Sequence, residues 1–218
     1  MNPTYEFHFF NPHRAPTRSE SLAALDALGR GGSQVSRFRR GVEFVQPGTA
    51  TRLEDLVAEN GKMLVDLYTT TPMNQRLDYL LAIHPPAENG RFARLVVEAP
   101  YLKEDSSAVA TMLDLVKLLN LHLPVWFALG DHELNLNHLE SQLSLERVSA
   151  LAWANLFCRE FVERVGQTFL AQAPSHQTLT FKRGVLLLLS PSPLVKPDAN
   201  LLQRVQAYFG IHAVSTGP

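Results

Sequence analysis

Cysteine is nearly absent. Cys158 is the one thiol among 218 residues, so no disulfide can form within the chain and stability does not demand an oxidising compartment. A charge of one sign is missing too. The 20 Lys and Arg stand against 21 Asp and Glu, for a formal net charge of −1, which argues against the basic footprint that direct nucleic-acid binding requires. No apolar run is long: the most apolar short stretch, residues 185–189 (VLLLL), has five residues, against roughly 20 for a bilayer-spanning helix. The opening residues, MNPTYEFHFFNPHR, show no basic region followed by an apolar core and a small-residue cleavage site. These absences lead to the expectation of a soluble, cytoplasmic protein that does not engage a membrane. Internal repeats and low-complexity segments are also missing, and the proline-containing stretches at Pro85 and Pro191 are too short for interdomain linkers.

What is present is core. Apolar residues make up 45 % of the chain and charged residues 19 %, a globular balance at a length that buries a substantial interior. Alternation predicts strands at residues 5–10, 63–68, 79–83 and 91–98, with a shorter one at 42–45. A helix capped by Ser19 or Ser21 carries Leu22, Leu25 and Leu28 on one face, and a short one spans 51–59. A longer helix opens at Ser106 or Ser107 and repeats Val109, Met112, Leu113, Val116 and Leu119 at helical spacing. Residues 30–40 (RGGSQVSRFRR), with Arg37, Arg39 and Arg40, read as a solvated loop in preference to a phosphate contact. A buried strand is expected at 124–129, a polar connection at 130–137, and helix from Ser144 to Pro174, in one bent piece or in two broken near Cys158-Arg159-Glu160. A hairpin over 181–189 and a last helix over 200–209 complete the pattern. Strands and helices interleave to both ends, so the fold class is α/β (α+β): one domain over 1–218, a mixed β-sheet packed by helices.

Groups that carry chemistry are sparse. Gly130-Asp131-His132-Glu133 falls at the end of a predicted strand, where α/β proteins often bind ligands, and is similar to the Gly-Asn-His-Glu element of metallophosphoesterases. The other ligands of a two-metal site are not there: Asp66 has Tyr68 where a histidine is needed, and no His-x-His follows. His132 and His138 lie six residues apart, not the four that put two histidines on one helical face. Cys158 sits within an apolar pattern and reads as a small core residue. No Gly-x-Ser-x-Gly elbow occurs, Ser175-His176 is mere adjacency, and Gly29-Arg30-Gly31-Gly32 lacks the Lys-Ser/Thr of a phosphate-binding loop. Trp126, Phe127, Trp153 and Phe157 read as core aromatics. No cofactor or metal is expected, and no catalytic residue is assigned.

One stretch carries a family likeness. Trp153-Ala154-Asn155-Leu156-Phe157, then Phe161-Val162-Glu163-Arg164-Val165-Gly166, Ala173-Pro174, Gly184-Val185-Leu186-Leu187-Leu188 and Ser190-Pro191 together resemble bacterial immunity proteins of polymorphic toxin systems, most closely the immunity protein 52 family. Cys158 and the basic 30–40 segment depart from that pattern. The resemblance implies a non-enzymatic protein that binds and neutralises a cognate toxin, such as a nuclease-type effector of a type VI secretion system, by stoichiometric complex formation. The acidic residues Glu104, Asp105, Asp131 and Glu133, with His132, are the expected partner-binding positions, since they would complement a basic substrate groove. Association with a second copy of the chain is left open. The alternative is a metal-dependent hydrolase built on Asp131, His132 and Asp66.

Overall fold

In the computed structural model, which describes residues 4–40, 42–48, 51–102, 106–144 and 146–211, the chain divides into two compact units, Met1–Val125 and Trp126–Pro218. Ten strands and six α-helices occur among the described residues, so the α/β class read from the sequence holds.

Period-two alternation builds the first unit. Its strands are β1 (Thr4–Phe10), β2 (Gln34–Arg40), β3 (Glu43–Val45), β4 (Met63–Thr70), β5 (Arg76–Ile83) and β6 (Arg91–Glu98), in the spatial order β3-β2-β4-β5-β6-β1. Each of these pairings is antiparallel. In β4, Met63, Val65, Leu67 and Thr69 are buried while Leu64, Asp66 and Tyr68 are half-exposed, as a strand with one covered face requires. The register aligns Val65, Leu81, Leu95 and Phe7 in one row across four strands. All four are at most 1 % exposed, and each such side chain stabilises the fold by about 1.5–3 kcal/mol.

Two helices belong to this unit, α1 (Arg18–Arg30) and α2 (Ser106–His122), and they pack on each other. Leu25 of α1 lines a small cavity with Val35 of β2 and Leu67 of β4, which places α1 on the row's side of the sheet. The cap of α1 is Thr17, not the expected Ser19 or Ser21. Its hydroxyl accepts the Glu20 amide while the Glu20 carboxylate accepts the Thr17 amide at 2.8 Å, a reciprocal capping box. Ser21 is buried instead and donates to the Gly61 carbonyl at 2.9 Å. Gly61 has φ +78°, and a Cβ there would meet the Pro16 carbonyl at 2.7 Å, so only glycine fits this crossing. The 30–40 segment is a second correction: it is largely the strand β2, with Arg37, Arg39 and Arg40 exposed and Phe38 turned inward. Exposed arginines hid the strand. The expected helix at 51–59 is a single 3₁₀ turn, Leu53–Leu56.

The second unit holds β7 (Phe127–His132), α3 (Glu133–Glu140), β8 (Ala154–Cys158), α4 (Arg159–Val165), α5 (Gln167–Ala171), β9 (Gln177–Phe181), β10 (Gly184–Leu188) and α6 (Ala199–Phe209). Its strand order is β7-β8-β10-β9, again antiparallel. Residues 130–137, expected as a polar connection, are the end of β7 and the first half of α3. The larger correction is the helix expected from Ser144 onward: 154–158 is the strand β8, every residue of it buried. A strand covered on both faces has no alternation to reveal it. Asn155, fully buried, fixes the entry to β8 by accepting the Ala152 amide at 2.9 Å and donating to the Ala152 carbonyl at 2.8 Å. The expected break near Cys158 does mark a boundary, between β8 and α4.

The aromatic residues form the core here, as read from the sequence. Phe161 of α4 contacts Trp126 and Phe127, each with ring centroids 6.0 Å apart, and stacks on Phe157 at 5.3 Å. Trp153 is buried and donates its indole N–H to the Ser190 carbonyl at 3.0 Å. Cys158 is buried as well, and desolvation pushes its thiol well above the usual range, which makes it an inert packing residue.

Candidate functional site

The face of the first sheet opposite α1 is the site the geometry singles out. Side chains at alternate positions of β4 and β5 point there: Asp66 and Tyr68 from one, Arg76 and Asp78 from the other. The register sets Arg37 of β2 opposite Asp66 and Tyr68 opposite Asp78. Together with Glu98 and Tyr101 these strands shape an open groove of about 520 Å³.

Its polar groups hold one another in place. Arg37 makes a short ion pair with Asp66 and lies over the Phe44 ring, 4.5 Å from its centroid. Arg76 donates to Asp78 at 2.6 Å while its guanidinium lies 3.9 Å from the centre of the Tyr68 ring. Tyr68 in turn donates its hydroxyl to Gln34. The other carboxylate oxygen of Asp78 accepts the Tyr101 hydroxyl at 2.7 Å. That hydrogen bond favours the protonated phenol and raises its pKa. Stacked and paired guanidiniums lose little further freedom on binding, which suits a recognition surface. Ser36, on the wall of the groove, donates its hydroxyl to the Asp66 backbone carbonyl at 3.1 Å.

The positions proposed from the sequence fare differently. Glu104 and Asp105 lie outside the described residues. Asp131 is committed to the fold: one oxygen accepts the His132 amide at 2.7 Å and the Asn135 side chain at 3.1 Å, and the other accepts the Trp153 amide at 2.9 Å. His132 caps α3, its Nδ1 accepting the Leu134 amide at 3.2 Å. Glu133 is exposed in the first turn of α3, where the helix dipole favours a negative charge. His138 lies in the last turn of α3 beside Gln142. Asp66, the remaining member of the hydrolase set, sits in the first unit paired with Arg37, whereas Asp131 and His132 belong to the second. Among the described residues no group of three or more His, Cys, Asp or Glu side chains is arranged to hold a metal ion. Ser175 hydrogen-bonds Thr178 at 2.7 Å. No helix of the described residues is long and apolar enough to cross a membrane.

Sequence reasoning missed Arg76, Asp78 and Tyr101, and read Arg37 as part of a solvated loop. The available signal was the polar residue at every second position of two otherwise apolar strands, Asp66 with Tyr68 and Arg76 with Asp78. Nothing local in the sequence joins those pairs, which only the strand register brings together.

Among solved structures, the fold is similar to that of the T6SS protein PA0821 of Pseudomonas aeruginosa, with a TM-score of 0.53 at 12 % sequence identity, over 96 % of this chain and 72 % of that one. No protein-family model matches the chain, and no curated protein matches it in sequence.

Proposed function

We propose that this chain is an immunity protein of the type resembling the immunity protein 52 family, which neutralises a cognate type VI secretion effector by binding it stoichiometrically in the cytoplasm. The observation that carries this reading is the open sheet face, where Arg37–Asp66 and Arg76–Asp78–Tyr101 present charges held in fixed geometry around a groove. Such a surface selects a partner by shape and by alternating charge, and it performs no reaction of its own. The likeness in fold to a T6SS protein supports the same reading. The toxin docks on this face, and inhibition follows from occlusion, without turnover.

The test is co-expression. Cells producing the toxin encoded beside this chain should survive when the chain is present, and the two proteins should purify as a complex of fixed stoichiometry. Survival with a catalytic amount of the chain, or with no complex formed, would refute stoichiometric neutralisation.

A further inference from the structure

Among the described residues β9 has one neighbour in the sheet, β10, and it lacks the charge, proline and bulge that commonly keep a sheet edge from pairing again. Its residues, Gln177, Thr178, Leu179, Thr180 and Phe181, include no charge and no proline. Its register against β10 runs without a bulge. Natural edges are blunted by charge, proline, bulges or shortness. β3, which likewise has one neighbour, is protected in that way: it has three residues, with the exposed arginines of β2 beside it.

The outward-facing backbone groups of β9 follow from β10. The Leu189 amide donates to the Trp153 carbonyl on the β8 side, and the His176 amide donates to the Leu188 carbonyl on the β9 side. Successive residues of an antiparallel strand bond alternately to one neighbour and the other, so Gly184, Leu186 and Leu188 turn toward β9. Their register partners are Phe181, Leu179 and Gln177. The N–H and C=O of Thr178 and Thr180 are therefore directed away from the sheet.

We propose that this edge is a homodimer interface, in which β9 pairs antiparallel with β9 of a second copy about a two-fold axis at Leu179. The symmetry of the strand selects that occupant. Thr178 of each copy faces Thr180 of the other, so two residue pairs each exchange both of their N–H···O=C bonds, and Leu179 meets Leu179. Threonine pairs of this kind are favourable across strands, and no like charges fall opposite one another. A ladder of this length alone is smaller than the roughly 1,200 Å² of a stable interface. Further apolar surface flanks it, because α5 lies against β9 and leaves Phe169 40 % exposed, stacked on Tyr208 at 4.7 Å. The dimer does not depend on the toxin reading, and its test needs no toxin.

Sedimentation equilibrium of the full chain should give twice the 24.3 kDa of one copy. Thr180→Pro removes an outward N–H and leaves the β10 ladder intact, so it should weaken the dimer by about tenfold or more, with an unchanged circular dichroism spectrum. Two double variants keep the test decisive if proline disturbs folding. Thr178→Lys with Thr180→Lys, and Thr178→Glu with Thr180→Glu, should each be monomeric alone and should dimerise when mixed. A monomeric wild-type chain, a dimer unaffected by Thr180→Pro, or a mixture that stays monomeric would overturn the proposal. So would a monomer that loses toxin binding on Thr180→Pro, which would assign the edge to a toxin strand instead.

Discussion

Asp131 accepts the backbone N–H of Trp153 across 22 residues of sequence, at 2.9 Å. With its other oxygen on the His132 amide and Asn135, one carboxylate ties the end of β7, the start of α3 and the entry to β8. An acid that looks catalytic at the end of a strand is here a structural clamp.

Replacement of Asp131 should therefore act on stability first. Asp131→Ala leaves the Trp153 and His132 amides without their acceptor, at a cost of about 2–4 kcal/mol given the usual strength of hydrogen bonds to charged groups. Urea titration should show a lower midpoint, while Glu133→Ala, at an exposed position, should shift it little. Unchanged stability in Asp131→Ala would show that this clamp carries no weight.

The groove makes the opposite prediction. Arg76 and Asp78 have side chains 57 % and 35 % exposed, so breaking their solvent-screened pair should leave stability nearly unchanged. If the toxin docks there, Arg76→Ala should reduce its affinity by about tenfold or more, which is roughly 1.4 kcal/mol. Calorimetric titration of the toxin into wild type and variant decides it, and equal affinities would remove this face from the interface.

Acid stability should report on Glu20. The hydrogen bond from Arg14, followed by the donors at Thr17, lowers its pKa from the ordinary 4.5 to about 2. A depressed carboxylate pKa stabilises the fold above the unfolded value and loses that contribution as pH falls through the folded one. Wild type should thus be more stable than Glu20→Gln above pH 4.5, and the gap should close toward pH 2. Melting temperatures of both proteins over that interval test it, and a gap independent of pH would assign the effect to the neutral cap alone.

Proteolysis should respect the junction between the units. Leu123, Val125, Trp126 and Phe127 are all at most 7 % exposed, and a protease needs a locally unfolded, accessible segment. Under native conditions no cut is expected between Val125 and Trp126. Two stable fragments meeting at that bond would show the units opening separately.

Much of the fold was legible because its strands alternate. Residues 63–68, 79–83 and 91–98 each read correctly as strand, since one face of each is covered and the other is not. Of the hairpin read over 181–189, β10 holds, whereas β9 runs back to Gln177 and only its last residue was included. β8 was not legible. Ala154, Leu156 and Phe157 fit a helical repeat as well as a buried strand, and periodicity cannot separate the two when both faces are apolar. Trp153 was placed correctly in the core but on the wrong element. The candidate site was less legible still. Of its residues, Asp66 drew notice for a metal role it does not fill, Tyr68 only as standing where a histidine is needed, and Arg37 only as part of a solvated basic segment. These and Arg76, Asp78 and Tyr101 come from segments whose proximity depends on non-local pairing.

That pairing also orders events in time. β2, β4, β5 and β6 join partners close in sequence, but β1 must wait for β6, its register running from Thr4 opposite Glu98 to Phe10 opposite Arg91. At about 5–20 residues per second of synthesis, the aromatic segment holding Tyr5, Phe7, Phe9 and Phe10 emerges on the order of ten seconds before the strand that covers it. During translation this is the stretch that most needs a chaperone, and slowing elongation between β1 and β6 should raise the insoluble fraction of the newly made chain.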